Sequence, residues 1–139
     1  MARKGTSQIQ QDMFDAIESF LTTRIGGQVY QKECRPLNSK AEDAVIAVSA
    51  AGSGQIQDGR AKVNIYVPDI DNGSGHPVPD WGRIQELSAL GEPLVSVLNE
   101  FDTDYDFDLE KAPKDYLNHE NRQHFVNISI KFNRVTFNT

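Results

Sequence analysis

The chain has 139 residues, 38% of them apolar and 24% charged, with a net charge of −6 and a pI near 5.0. This balance excludes wholesale disorder, suits one modest core, and has the wrong sign for gripping nucleic acid through its phosphates. No apolar run approaches the roughly 20 residues of a bilayer span, and "MARKGTSQIQ" lacks the apolar stretch of a secretory signal, so the expectation is one intracellular domain over 1–139, with 1–6 disordered.

Ser7 to Arg24 predicts a helix, because Met13, Phe14, Ile17, Phe20 and Leu21 recur at spacings of three and four. Ser7 and Gln10 have the spacing of a capping box, and Gly26-Gly27 is a stop signal. "GQVYQKECRP" reads as a short strand ended by Pro36, and "LNSKAED" as a loop. "AVIAVSA" at 44–50 and "RAKVNIYVPDI", which puts Val63, Ile65 and Val67 on one face, predict an antiparallel hairpin about the glycine-rich "AGSGQIQDG".

"DNGSGHPVPDW" holds the long irregular loop at 71–79, and Asp80 after it is a helix N-cap. From Trp81 the residues Ile84, Leu87, Leu94, Leu98 and Phe101 share a helical face; Pro93 would kink this helix or split it in two, and the continuous apolar pattern predicts one kinked helix. "DTDYDFDLE" follows as a strand with Tyr105, Phe107 and Leu109 inward, and a polar loop leads to "HFVNISIKFNRVTFN", where Val126, Ile128, Ile130 and Phe132 alternate with polar residues. The order predicts an α+β fold, with two main helices packed on one face of a mostly antiparallel β-sheet.

Candidate chemistry centres on carboxylates, histidines and one thiol. An EF-hand beginning at Asp102 needs glycine at its sixth position and glutamate at its twelfth, where this chain has Phe107 and Pro113. On a strand, Asp102, Asp104, Asp106 and Asp108 succeed one another on one side at about 7 Å. They predict a solvated or functional acidic surface rather than an acid–base pair. His119 and His124 lack the i, i+4 spacing of a zinc protease, and "AGSGQ" lacks the lysine of a phosphate loop. Cys34 is the only cysteine, so no disulfide forms within the chain; its expected role is a buried or half-buried structural thiol. Trp81 is expected to staple its helix to the sheet, and, failing that, to face a partner. Asp69, Asp71, His76 and Trp81 form a candidate partner-contact loop. No metal, cofactor or catalytic residue is expected, the less favoured alternative being a metal-dependent hydrolase using Asp69, Asp71 and His76 with a later carboxylate.

The helix "QDMFDAIESFLTTRIGG", the strands "VYQKECRP" and "AKVNIYVPDI", the helix "DWGRIQELSALGEPLVSVLNEF" and the terminal "HFVNISIKFN" follow in an order that resembles the tail-terminator and tail-completion (head–tail joining) proteins of tailed bacteriophages. The resemblance implies a non-enzymatic homo-oligomeric ring subunit of a phage or prophage that meets tail tube and connector proteins, with DNA passing through rather than specifically bound. It further implies assembly in the bacterial cytoplasm, no membrane partner, and an acidic lumen to which the 102–108 carboxylates contribute. A small binding or adaptor module acting through residues 71–81 is the alternative.

Overall fold

The computed structural model describes residues 5–51, 56–101, 104–118 and 123–135. In chain order the elements are α1 (Thr6–Thr22), β1 (Val29–Gln31), β2 (Ala44–Ala51), β3 (Ile56–Pro68), β4 (Ile70–Asp71), β5 (Pro77–Val78), α2 (Trp81–Ser88), α3 (Gly91–Phe101), β6 (Tyr105–Leu109), β7 (Lys114–Asn118) and β8 (Gln123–Val135). The fold is α+β: a six-stranded, mostly antiparallel sheet ordered β1-β2-β3-β8-β6, with β7 beside β8, and helices on one face.

The strand pattern dictates this layering. Val63, Ile65 and Val67 of β3 and Val126, Ile128, Ile130 and Phe132 of β8 point to the helix face and are buried, joined by Ala44, Ile46 and Val48 of β2. α1 covers this layer near β1 and β2 with Ile9, Met13, Ala16, Ile17 and Leu21, while α3 packs on α1 and β6. Phe14 and Phe20 flank the stripe, half-buried.

Local differences from the sequence reading have physical causes. α1 begins at Thr6 behind Gly5 with no side-chain cap, so the Ser7–Gln10 capping box does not form, and Thr6 belongs to the helix rather than to a disordered tail. Residues 1–4 lie outside the described residues. The expected kinked helix is two helices separated at Ala89–Leu90. Pro93 sits in the first turn of α3, where its missing N–H costs nothing, so the break falls ahead of the proline. Asp80 caps α2 as expected, accepting from the Arg83 N–H at 3.2 Å. Phe101, assigned to the buried face, is 55% exposed. β1 is only three residues long and pairs parallel with β2, since residues 32–43 form a crossover rather than a tight turn. The loop assigned to 71–79 folds back as the short β4–β5 hairpin, with the side chains of Asp71 and Asn72 accepting from the Gly73 and Ser74 N–H groups.

β6 and β7 run along the same side of β8 as one interrupted strand. Leu109 pairs with Ile130 and Lys114 with Asn127; Glu110 keeps one bond, its N–H donating to the Ser129 carbonyl at 2.9 Å, and residues 111–113 bulge out of the ladder. The start of α3 presses on this bulge, and a Cβ at Gly91 would lie 3.0 Å from the Pro113 ring.

Two edges of the sheet are met by side-chain amides. Asn99 of α3 donates to the Phe107 carbonyl at 2.9 Å and accepts from its N–H at 2.8 Å, imitating a neighbouring strand. Gln10 of α1 accepts from the Val48 N–H at 3.1 Å. Both devices occupy groups that would otherwise template a foreign strand. Asn99→Leu is expected to lower stability by about 2 kcal/mol, because two half-buried backbone groups lose their partners. It should also raise self-association, read by urea unfolding and light scattering; scattering equal to that of the parent protein would refute the edge-blocking role.

Candidate functional site

The sheet face away from the helices carries no covering layer among the described residues, and its side chains form ordered cross-strand rows. Tyr66, Phe125 and Tyr116 make one row, Asn64, Asn127 and Lys114 the next, followed by Lys62 with Ser129. Then come Ser49, Arg60, Lys131 and Asp108, and beyond them Asp58, Asn133 and Asp106. A groove of about 710 Å³ runs over the charged rows, lined by Arg60, Lys62, Lys131, Asp58, Asp106 and Asp108. A second hollow of about 420 Å³ adjoins it near Lys62, Asn127, Ser129 and Tyr116.

Charges of both signs interleave across this face. Arg60 pairs with Glu110; that ion pair raises the guanidinium pKa and holds the Glu110 carboxyl below its ordinary value. Asp108 lies opposite Lys131. Under the charges, Ser129 donates to Asn127 at 2.8 Å and Asn127 to Asn64 at 2.7 Å, so the polar groups buried on this face are satisfied. Such a surface can form many weak polar contacts.

The acidic alternation is placed as follows. Asp102 lies outside the described residues. Asp104 is half-buried in the turn before β6, and Asp106 and Asp108 are exposed on the open face while Tyr105 and Phe107 are buried on the other. Asp106 faces Asn133 and Asp108 faces Lys131, so the carboxylates form one margin of a mixed-charge surface.

The partner-contact candidates do not form one group. Asp69 is drawn inward to the His124 ring, its carboxylate 3.0 Å from Nδ1, with both side chains largely buried. Asp71 and His76 are exposed on the β4–β5 hairpin, where Ser74 Oγ lies 3.3 Å from His76 Nδ1. Trp81 is 54% exposed and touches the His124 ring at 6.0 Å, so it does not act as a buried staple. Of the residues that the hydrolase alternative invokes, Asp69 meets His124 while Asp71 and His76 lie on the hairpin, and no group of three His, Cys, Asp or Glu residues suited to a metal occurs among the described residues. Cys34 is exposed rather than buried, next to Glu33, whose φ of 66° turns the chain there. His119 lies outside the described residues.

Sequence reasoning passed over the most connected carboxylates, Glu42 and Asp43, inside the segment taken as a loop. Asp43 is 1% exposed; it accepts from the Gln28 N–H at 2.8 Å, Ser39 Oγ at 2.7 Å and Arg35 Nε at 3.0 Å. Burial pushes its carboxyl up, but the bonds from Gln28, Ser39 and Arg35 outweigh it and hold the pKa below the ordinary value. Glu42 accepts from the Gly26 N–H at 2.9 Å and from the Arg83 Nε at 2.8 Å, tying the end of α1 to α2. Arg35 lies over the Tyr66 ring at 4.0 Å and donates to Gln123 at 2.9 Å, so the same knot reaches the open face. An acidic pair in a polar loop was the only signal, and its partners are far along the chain.

No protein-family model and no curated protein sequence matches this chain.

Proposed function

We propose that this protein is a non-enzymatic structural subunit of a tailed bacteriophage or prophage, a tail-terminator- or tail-completion-like protein acting as one copy of a closed ring at the head–tail or tail-end junction. The observation that carries the reading is the two-sided sheet. All the described helices lie on one face in the order helix, hairpin, helix pair, strands, and the other face presents interleaved charge. In a ring the open face would border the lumen. Cations and carboxylates in alternation would neither hold nor strongly repel a passing polyanion, which fits DNA as cargo rather than ligand. The contacts that close the ring are with further copies, and those that anchor it are with tail tube and connector proteins; assembly takes place in the bacterial cytoplasm before the protein enters the virion. The exposed Trp81 beside the β4–β5 hairpin favours that end of the molecule as the anchoring contact.

Negative-stain imaging and mass measurement of the purified protein with its tail tube protein should show closed rings. Species no larger than a dimer under those conditions would sink the reading. Duplex DNA should bind weakly at low salt and not at physiological salt; tight, salt-resistant binding would also count against it.

A further inference from the structure

We infer that the edge of β7 is a self-association surface at which two copies of this chain pair antiparallel about a two-fold axis through Tyr116, extending both sheets into one. β7 hydrogen-bonds to β8 on one side, and no side chain among the described residues bonds to the main chain on its other side. The remaining edges of the main sheet are poor templates. β6 is met by Asn99, β2 by Gln10 at Val48, and β1 is three residues long. A strand offered by a second copy is therefore best supplied by β7 itself.

Each face beside this edge presents an exposed apolar side chain, with Lys114 beside Tyr116 on the open face and Asp115 beside Leu117 on the helix face. On the open face Tyr116 is 38% exposed; on the helix face Leu117 is 43% exposed, and Trp81 stands near it against His124, the cross-strand neighbour of Leu117. An added strand would cover Tyr116 on one side and Leu117 with Trp81 on the other.

The aromatic row points to a second copy as the occupant. Phe125 lies 5.4 Å from Tyr66 and 5.5 Å from Tyr116, and Arg35 closes the Tyr66 end, while at the Tyr116 end no further ring follows among the described residues and only the Lys114 ammonium lies over the ring, at 5.4 Å. A two-fold axis at Tyr116 sets ring against ring, giving a row closed at both ends by an arginine. This register pairs residue 114 with 118 and Asp115 with Leu117, so no like charges meet. An axis one residue earlier would oppose Asp115 to itself. An axis between residues would put a helix-face side chain opposite an open-face one, which the pleat forbids. The contact is isologous and stops at two copies, so it is separate from the head-to-tail contacts of the proposed ring and does not depend on them.

The test uses the full chain in a Cys34→Ser background. Sedimentation equilibrium should show a monomer–dimer exchange. Leu117→Glu, which sets a carboxylate opposite Asp115 of the other copy, should weaken it by about tenfold or more, with the circular dichroism spectrum unchanged because Leu117 is outside the core. Tyr116→Cys should cross-link into dimers under mild oxidation, and Asp106→Cys on the same face should not. A protein monomeric at all concentrations, or a dimer that ignores Leu117→Glu and gives no cross-link at 116, would overturn the proposal. Rings that persist in Leu117→Glu would support the ring reading separately, and their absence beside a cross-linked dimer would remove the ring alone.

Discussion

Asp43→Ala is expected to lower the unfolding free energy by about 3–5 kcal/mol, the scale on which removing one partner of a buried ion pair destabilises a fold. Arg35 would be left with its side chain 9% exposed and no carboxylate, while the Gln28 N–H and Ser39 hydroxyl would lose their acceptor. Asp43→Asn keeps the shape and one acceptor and should cost less, so the gap between the two variants in urea melts measures the charge. The pH dependence has a fixed sign. The folded carboxyl titrates below its unfolded counterpart, so its contribution is complete above the unfolded value of about 3.9 and is lost as the pH falls through the lower folded value. The parent protein should therefore lose more stability on acidification than Asp43→Ala does; parallel acid curves for the two would contradict the assignment.

Gly27→Ala should be nearly as damaging, at about 3 kcal/mol, the upper part of the range for overpacking. The Gly27 N–H donates to the Glu42 carbonyl at 2.9 Å, and a methyl there would sit 2.6 Å from that carbonyl oxygen and against the Asp43 carboxylate. Backbone, not a flexible side chain, would have to give way. This glycine is thus required by close approach, although the sequence suggested only a helix stop. Gly26→Ala is the control, since its Cβ would meet only the Glu42 side chain at 3.8 Å. Thermal melts of the two variants that coincide would refute the packing argument.

Periodicity makes much of the fold legible in the sequence. Alternation named the buried residues of β3 and β8, and the spacing of Met13, Ile17 and Leu21 oriented α1. Periodicity says nothing of partners distant in sequence, which is why Glu42 and Asp43 passed as loop residues while binding Gly26, Gln28 and Arg83. The break between α2 and α3 reads in the sequence as a kink at Pro93 rather than a split because the apolar pattern continues across it. The next inward position of β8 after Phe132 is Arg134, an arginine buried over the Tyr105 ring, which a polarity pattern would assign to solvent. The candidate site was legible as residue types and not as an arrangement. Asp106 and Asp108 could be assigned to one side of a strand, yet their opposition to Asn133 and Lys131 depends on register, which a single strand does not encode.

The interruption between β6 and β7 also sets a rule for how the chain can change length. Residues 110–113 lie across from residues 128–129, four against two, and this even excess lets Phe107 and Asp115 share a side of the sheet despite the bulge. Deleting one residue would invert all of β7, turning Tyr116 toward the helices and Asp115 toward solvent, whereas deleting two could restore a plain ladder. Insertions and deletions in this segment are therefore expected to survive in pairs, so that its length keeps its parity while its sequence drifts.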